Sequence, residues 1–113
     1  METKDIKEIC RLQHKDFVYR ILINRMPIAY TNHDVYNLKR DTKIRSDYEE
    51  NKTVLYKKVE EVGREAIEAT FGNKEIMQNE ENRFTLDDQR KASAEVLGKE
   101  LTLEEVLERY EVN

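Results

Sequence analysis

The chain has 113 residues, 38% hydrophobic and 39% charged, with three glycines and one proline. That is enough for one compact domain with a small core and too few for two ordinary ones, and so little glycine and proline excludes an all-β protein built on tight turns. The net charge of −4 is uneven, with 15 Lys/Arg against 13 Asp/Glu in residues 1–74 and 5 against 11 in residues 75–113, which excludes a nucleic-acid binder basic over its whole surface and suits a partner with a basic patch.

The first predicted helix runs from about Thr3 to Arg25. Ile6, Ile9, Cys10, Phe17, Val18, Ile21 and Leu22 fall at helical spacing. Thr3 is a candidate cap, and Asp5 suits the positive end of the helix dipole. Pro27 stands just beyond, where a helix does not continue easily. The alternative is α+β: Phe17 to Ile23 is rich in β-favouring residues, and pairing with Ile28 to Thr31 would make a hairpin near 17–31. Ile21-Leu22-Ile23 is far short of a membrane span. The N-terminal residues have no apolar signal-peptide core. A lone cysteine, Cys10, excludes an intrachain disulfide and suits a reducing compartment. The expected location is cytoplasmic, with no membrane contact.

Met26 to Tyr30 is an apolar connector expected to tuck against the core. Thr31 or Asn32 then resembles a helix cap, with Asp34 in a partial capping box. Val35, Tyr36 and Leu38 follow. The polar stretch Lys39 to Lys43 reads either as part of one long helix or as a turn between two, with Ser46 or Asp47 capping a fresh start.

The stretch from Ile44 to Phe71 is the expected organising element. Leu55, Val59, Val62, Ala66 and Ala69 recur at gaps of four, three, four and three, which keeps one stripe on one side of a helix. Lys57, Lys58, Glu60, Glu61, Arg64 and Glu65 take the other side. Gly72 and Asn73 are placed to end it. The spacing predicts that Leu55, Val59, Val62 and Ala66 point together into a dry interior.

Residues 73–83 read as a loop with one helical turn. Thr85 to Asp88 forms a partial capping box, followed by a helix to Leu97 that buries Leu86, Ala92, Val96 and Leu97 and ends at Gly98. Thr102 and Glu105 form a full capping box for a last helix with Leu103, Val106, Leu107 and Tyr110 on its inner face. The expected architecture is all-α, four to five helices around one long central helix. Residues 1–113 read as one helical domain, and 85–113 as a candidate helix-pair subdomain.

Chemical motifs are sparse. Arg90 to Tyr110 has the outline of a helix-turn-helix, but Glu104, Glu105, Glu108 and Glu111 stand against Arg109 alone, which would repel phosphates. Lys39, Arg40, Lys43 and Arg45 form a basic patch able to meet nucleic acid, with Tyr36 and Tyr48 nearby to stack on bases. Cys10 and His14 share one helical face, yet a structural zinc site needs four ligands and only His33-Asp34 remains. No phosphate loop, His-Glu-x-x-His or Gly-x-Ser-x-Gly occurs.

Ser46-Asp47-Tyr48-Glu49-Glu50-Asn51 resembles the Ser/Thr-x-x-x-Glu-Gly/Asn inhibitory motif of antitoxins that silence Fic-domain enzymes. The resemblance covers six residues of 113. It implies a helical motif whose glutamate, Glu50, occupies the place of a nucleotide γ-phosphate by pairing with an arginine. Read from the residues alone, the stretch is a helix start with a Ser cap and an acidic first turn.

The sequence therefore points to a non-enzymatic interaction protein, without cofactor or metal, of antitoxin, anti-defence inhibitor or adaptor type. Its partner would be another protein, bound through a helical, acidic, tyrosine-bearing face. The candidate residues are Tyr48, Glu50, Tyr56, Glu104, Glu105 and Glu108. Homodimerisation through the long stripe is a further expectation. The alternative is a nucleic-acid-associated regulator using Lys39, Arg40, Lys43 and Arg45.

Overall fold

Ile6, Ile9, Leu12, Val18, Tyr19 and Leu22 are all buried on one side of the first helix, α1 (Thr3–Asn24), in a computed structural model that describes residues 1–98. The chain is all-α, as expected. After α1 come α2 (Val35–Val62), α3 (Arg64–Phe71), α4 (Lys74–Gln78), a 3-10 turn at Glu80–Asn82 and α5 (Leu86–Leu97). The hairpin alternative near 17–31 is excluded, because α1 runs unbroken through Phe17 and Ile23. The expected helix after Thr102, with Glu104, Glu105 and Glu108, lies outside the described residues.

The organising element is α1, not the stretch from Ile44 to Phe71. α1 packs against both α2 and α5, while α2 and α5 do not pack on each other. Leu55, Val59 and Val62 are only half-buried and Ala66 is exposed, so the dry interior expected around those four residues is corrected. The reason is competition for one face. The α1 stripe is more aliphatic and meets two helices, so its residues are covered from both sides.

The long helical stretch does break, but at Gly63 rather than between Lys39 and Asp47. Gly63 has φ +93° and ψ 135°, a conformation in which a Cβ is strained. Its N–H closes α2 on the Val59 carbonyl at 2.8 Å, and its own carbonyl accepts from Ile67 N–H at 3.1 Å to open α3. Lys39 to Lys43 stays helical, with the Thr42 hydroxyl on the Leu38 carbonyl and Lys43 on Asp47 at 2.8 Å. Ser46 and Asp47 therefore cap nothing, which corrects the fresh start expected there. Asn73 opens α4 instead of closing α3, its side chain accepting from the N–H groups of Glu75 and Ile76.

At α5 the capping box is complete. Thr85 Oγ1 accepts from Asp88 N–H at 3.1 Å, and the Asp88 carboxylate accepts from Thr85 N–H at 3.0 Å. Gly98 closes the helix in the left-handed conformation at φ +76°. The buried residues of α5 are Ala92 and Ser93, with Val96 and Leu97 packed half-buried on Val18. Leu86 faces solvent, contrary to expectation.

Polar side chains fix how the helices register. Antiparallel to α1, α2 is anchored by Lys58 to Asp5 at 2.7 Å and by buried Asn51, whose Nδ2 donates to the Leu12 carbonyl at 3.1 Å. Parallel to α1, α5 is anchored by Lys7 to Asp88 at 3.1 Å, by Arg11 and Lys15 to Glu95, and by His14 to Ser93 at 3.1 Å. The Thr3 hydroxyl, free of any capping task, donates to Asn82 at 2.7 Å. At the opposite end, buried Asp41 accepts from the Tyr30 hydroxyl at 2.6 Å and from Arg40, tying the connector to α2.

Candidate functional site

Because α2 and α5 both lie on α1 without touching, a groove of about 400 Å³ opens between them. Its floor is α1, through Arg11, Leu12, Lys15 and Tyr19. One wall is α2, through Asp47, Glu50, Asn51 and Val54, and Glu95 of α5 stands opposite. The α2 residues recur at three, one and three, so they share one flank of that helix over two turns. The cations on the floor are occupied: Arg11 by Glu8 and Glu95, and Lys15 by Glu95. The guanidinium of Arg11 is held firmly charged, first by Glu8 and then by Glu95. Asp47 is paired with Lys43. Glu50 is exposed and makes no ion pair among the described residues. Burial, with the negative charges of Asp47, Glu95 and Glu50 behind it, pushes the Tyr19 hydroxyl up, so it remains a neutral donor.

The structure separates the predicted α2 residues. Tyr48 sits half-buried on the α1 seam, its ring 6.0 Å from Tyr19, with the Lys52 ammonium 5.1 Å from the ring centre. Glu50 points into the groove. Two helix positions differ by about 200°, so Tyr48 and Glu50 cannot belong to one face. Tyr56 lies on the opposite shoulder, beside a depression lined by Val59, Glu60, Gly63 and Arg64. Glu104, Glu105 and Glu108 fall outside the described residues.

The basic patch is also dispersed. Arg40 is held by Asp41 and Lys43 by Asp47. Lys39 and Arg45 are exposed, and six positions on one helix put them about 120° from each other. The segment Ser46 to Asn51 lies inside α2. Its last residue, Asn51, is buried and committed to Leu12, a structural duty.

Cys10 and His14 do not meet as ligands. Burial pushes the half-buried Cys10 thiol up, which keeps it protonated. His14 turns to Ser93 between the rings of Phe17 and Phe84, 6.2 and 5.9 Å away, and burial holds its pKa below the ordinary imidazole value. Among the described residues no three His, Cys, Asp or Glu side chains converge as a metal-binding group, and no helix is long and apolar enough to cross a membrane.

The groove residues that sequence reasoning missed are Arg11, Leu12, Lys15, Tyr19, Val54 and Glu95. A signal for the charged ones existed: Lys4, Lys7, Arg11 and Lys15 form a row at gaps of three, four and four, and Asp88 and Glu95 recur seven apart. Comparison of the chain with family models, curated proteins and solved structures finds no match to any of them.

Proposed function

We propose that this chain is a small protein-binding module without a catalytic centre, with α2 as its docking helix. One observation carries the reading. The 28 residues of α2 bury only Asp41 and Asn51, both polar, while Tyr36 is 78%, Tyr56 61%, Leu38 44% and Val54 44% exposed. A helix held by polar anchors that turns tyrosine and aliphatic side chains outward, Tyr36 and Val54 to one side and Leu38 and Tyr56 to the other, suits a partner that reaches around it, and an apolar body with a wet hydroxyl binds well. Antitoxin, anti-defence inhibitor and adaptor roles all use such a surface and differ in the partner.

The test is affinity capture of the tagged protein from its host, beside Tyr36→Ala and Tyr56→Ala variants shown to fold by circular dichroism. A partner recovered with the unaltered chain and lost with either variant supports the reading. The same set of proteins recovered in all three overturns it. The nucleic-acid reading has less support, because Arg40 and Lys43 are already paired. Binding to duplex or single-stranded probes that falls steeply with salt and vanishes on reversing Lys39 and Arg45 would favour it instead.

A further inference from the structure

We infer that the tip where α1 turns into α2 is a plug for an apolar cleft with an acidic rim on the partner protein, an inference that rests on the protein-binding reading above. Apolar surface is the first reason. Ile28 stands fully exposed on the connector, with Pro27 and Ala29 exposed on either side of it, and Val35, Tyr36 and Leu38 are exposed on the first turn of α2. Four large hydrophobic side chains thus face water within residues 28–38. The tip is also held in shape. The Tyr30 hydroxyl ties the connector to buried Asp41 at 2.6 Å, the Asp34 N–H closes a turn on the Thr31 carbonyl at 3.1 Å, and Asn37 donates to the Asp34 carboxylate at 3.1 Å. A surface ordered before docking loses less entropy on binding.

Charge is the second reason. Residues 20–45 carry six Lys/Arg against two Asp/Glu, residues 1–19 carry four against four, and residues 46–98 carry eight against thirteen. The two acids of the tip are withdrawn: Asp34 is half-buried on Asn37, and Asp41 is buried under Tyr30 and Arg40. Arg20, Arg40 and Lys43 have carboxylate partners. Arg25, Lys39 and Arg45 are exposed and make no ion pair among the described residues. An acidic rim is drawn to the tip and repelled by the excess of acid along residues 46–98. Shape is the third reason. Tyr36 and Leu38 stand about 200° apart around α2, and Lys39 and Arg45 about 120°. A flat membrane or a duplex meets one side of such a tip, whereas a cleft meets all of it.

A benzophenone side chain placed at position 28 of the full-length protein and crosslinked in the host tests this, with one at position 87 as the control from the far end of α5. The adduct at position 28 is expected to be a partner peptide of apolar residues flanked by Asp or Glu, absent from position 87. With that partner purified, affinity should fall about tenfold on Arg25→Glu/Lys39→Glu and on Ile28→Asp, and the parent's affinity should weaken as salt rises. No adduct beyond the control overturns the inference, as does an adduct to lipid, to nucleic acid, to a second copy or to residues 99–113 of the same chain. A crosslinked peptide without Asp or Glu, or affinity indifferent to Arg25→Glu/Lys39→Glu, overturns it too. A partner crosslinked from position 56 but not from position 28 overturns the tip while leaving the docking-helix reading intact; a partner crosslinked from neither overturns both.

Discussion

Asn51 is the residue on which the α1–α2 register turns. It is buried, and its amide reaches across to the Leu12 carbonyl. Asn51→Ala should cost about 1–2 kcal/mol, the worth of a buried hydrogen bond and its packing, and Asn51→Asp more, since a carboxylate would face a carbonyl. Urea unfolding of the three proteins checks this. His14 gives a pH signature of its own. Its folded-state pKa is depressed by burial, so the unfolded chain binds the proton more readily. Stability should therefore be full above about pH 7 and fall as pH drops through roughly 6.5, where the unfolded imidazole titrates. Asp5, held low by Lys58, Glu8, held low by Arg11, and Asp88, held low by the Thr85 N–H, keep their contributions in full above the ordinary carboxylate range and lose them as pH falls into and through it. Melting temperature followed from pH 8 to 5 should decline in the parent and stay nearly flat in His14→Gln; equal declines would count against the assignment.

At the scale of the element, Gly63 separates what periodicity joined. The stripe from Leu55 to Ala69 has unbroken helical spacing, and spacing alone contains nothing about a single backbone torsion. A Cβ at Gly63 would meet nothing within 4 Å, so any cost of Gly63→Ala is conformational. We expect about 1–3 kcal/mol, with the loss localised to α3 and α4 by hydrogen exchange. Helix existence was legible because apolar recurrence marks Ile6 to Leu22, where Glu2 rather than Thr3 is the cap, and because recurrence and cap agree at Thr85 to Leu97. Which helix would hold the centre was not. Two stripes competed, and α1 holds the centre because α5 covers it as well as α2, a long-range packing seen in contacts such as Lys7 to Asp88 and Arg11 to Glu95, more than eighty positions apart in sequence. The candidate site suffered likewise. Residue type singles out Tyr48, Glu50 and Tyr56, whereas helix geometry divides Glu50 from the two tyrosines.

For the whole molecule, the decisive contrast is between α1 and α2 as carriers of the core. Ile9 is fully buried and Val59 only half so. Ile9→Ala should cost about 2–5 kcal/mol through the cavity it leaves, a large share of a small domain's stability. Val59→Ala should cost well under half of that. If chemical denaturation reversed the order, the centre of the fold would be α2 after all. The ion pairs between α1 and α5 are partly exposed and contribute modestly each. Raising salt should therefore lower the melting temperature only slightly, while removing Glu95, which serves both Arg11 and Lys15, should make the protein less salt-sensitive.

The contact between Thr3 and Asn82 spans 79 positions, and that between Lys7 and Asp88 spans 81. α1 is thus completed by α5, a helix made well after it. Until then Val18 lacks the Val96 and Leu97 that pack on it, and a newly made chain carries a sticky strip waiting for its lid. Non-local closure slows folding relative to bundles whose neighbours are adjacent in sequence, and the interval before closure is when chaperones would find this protein.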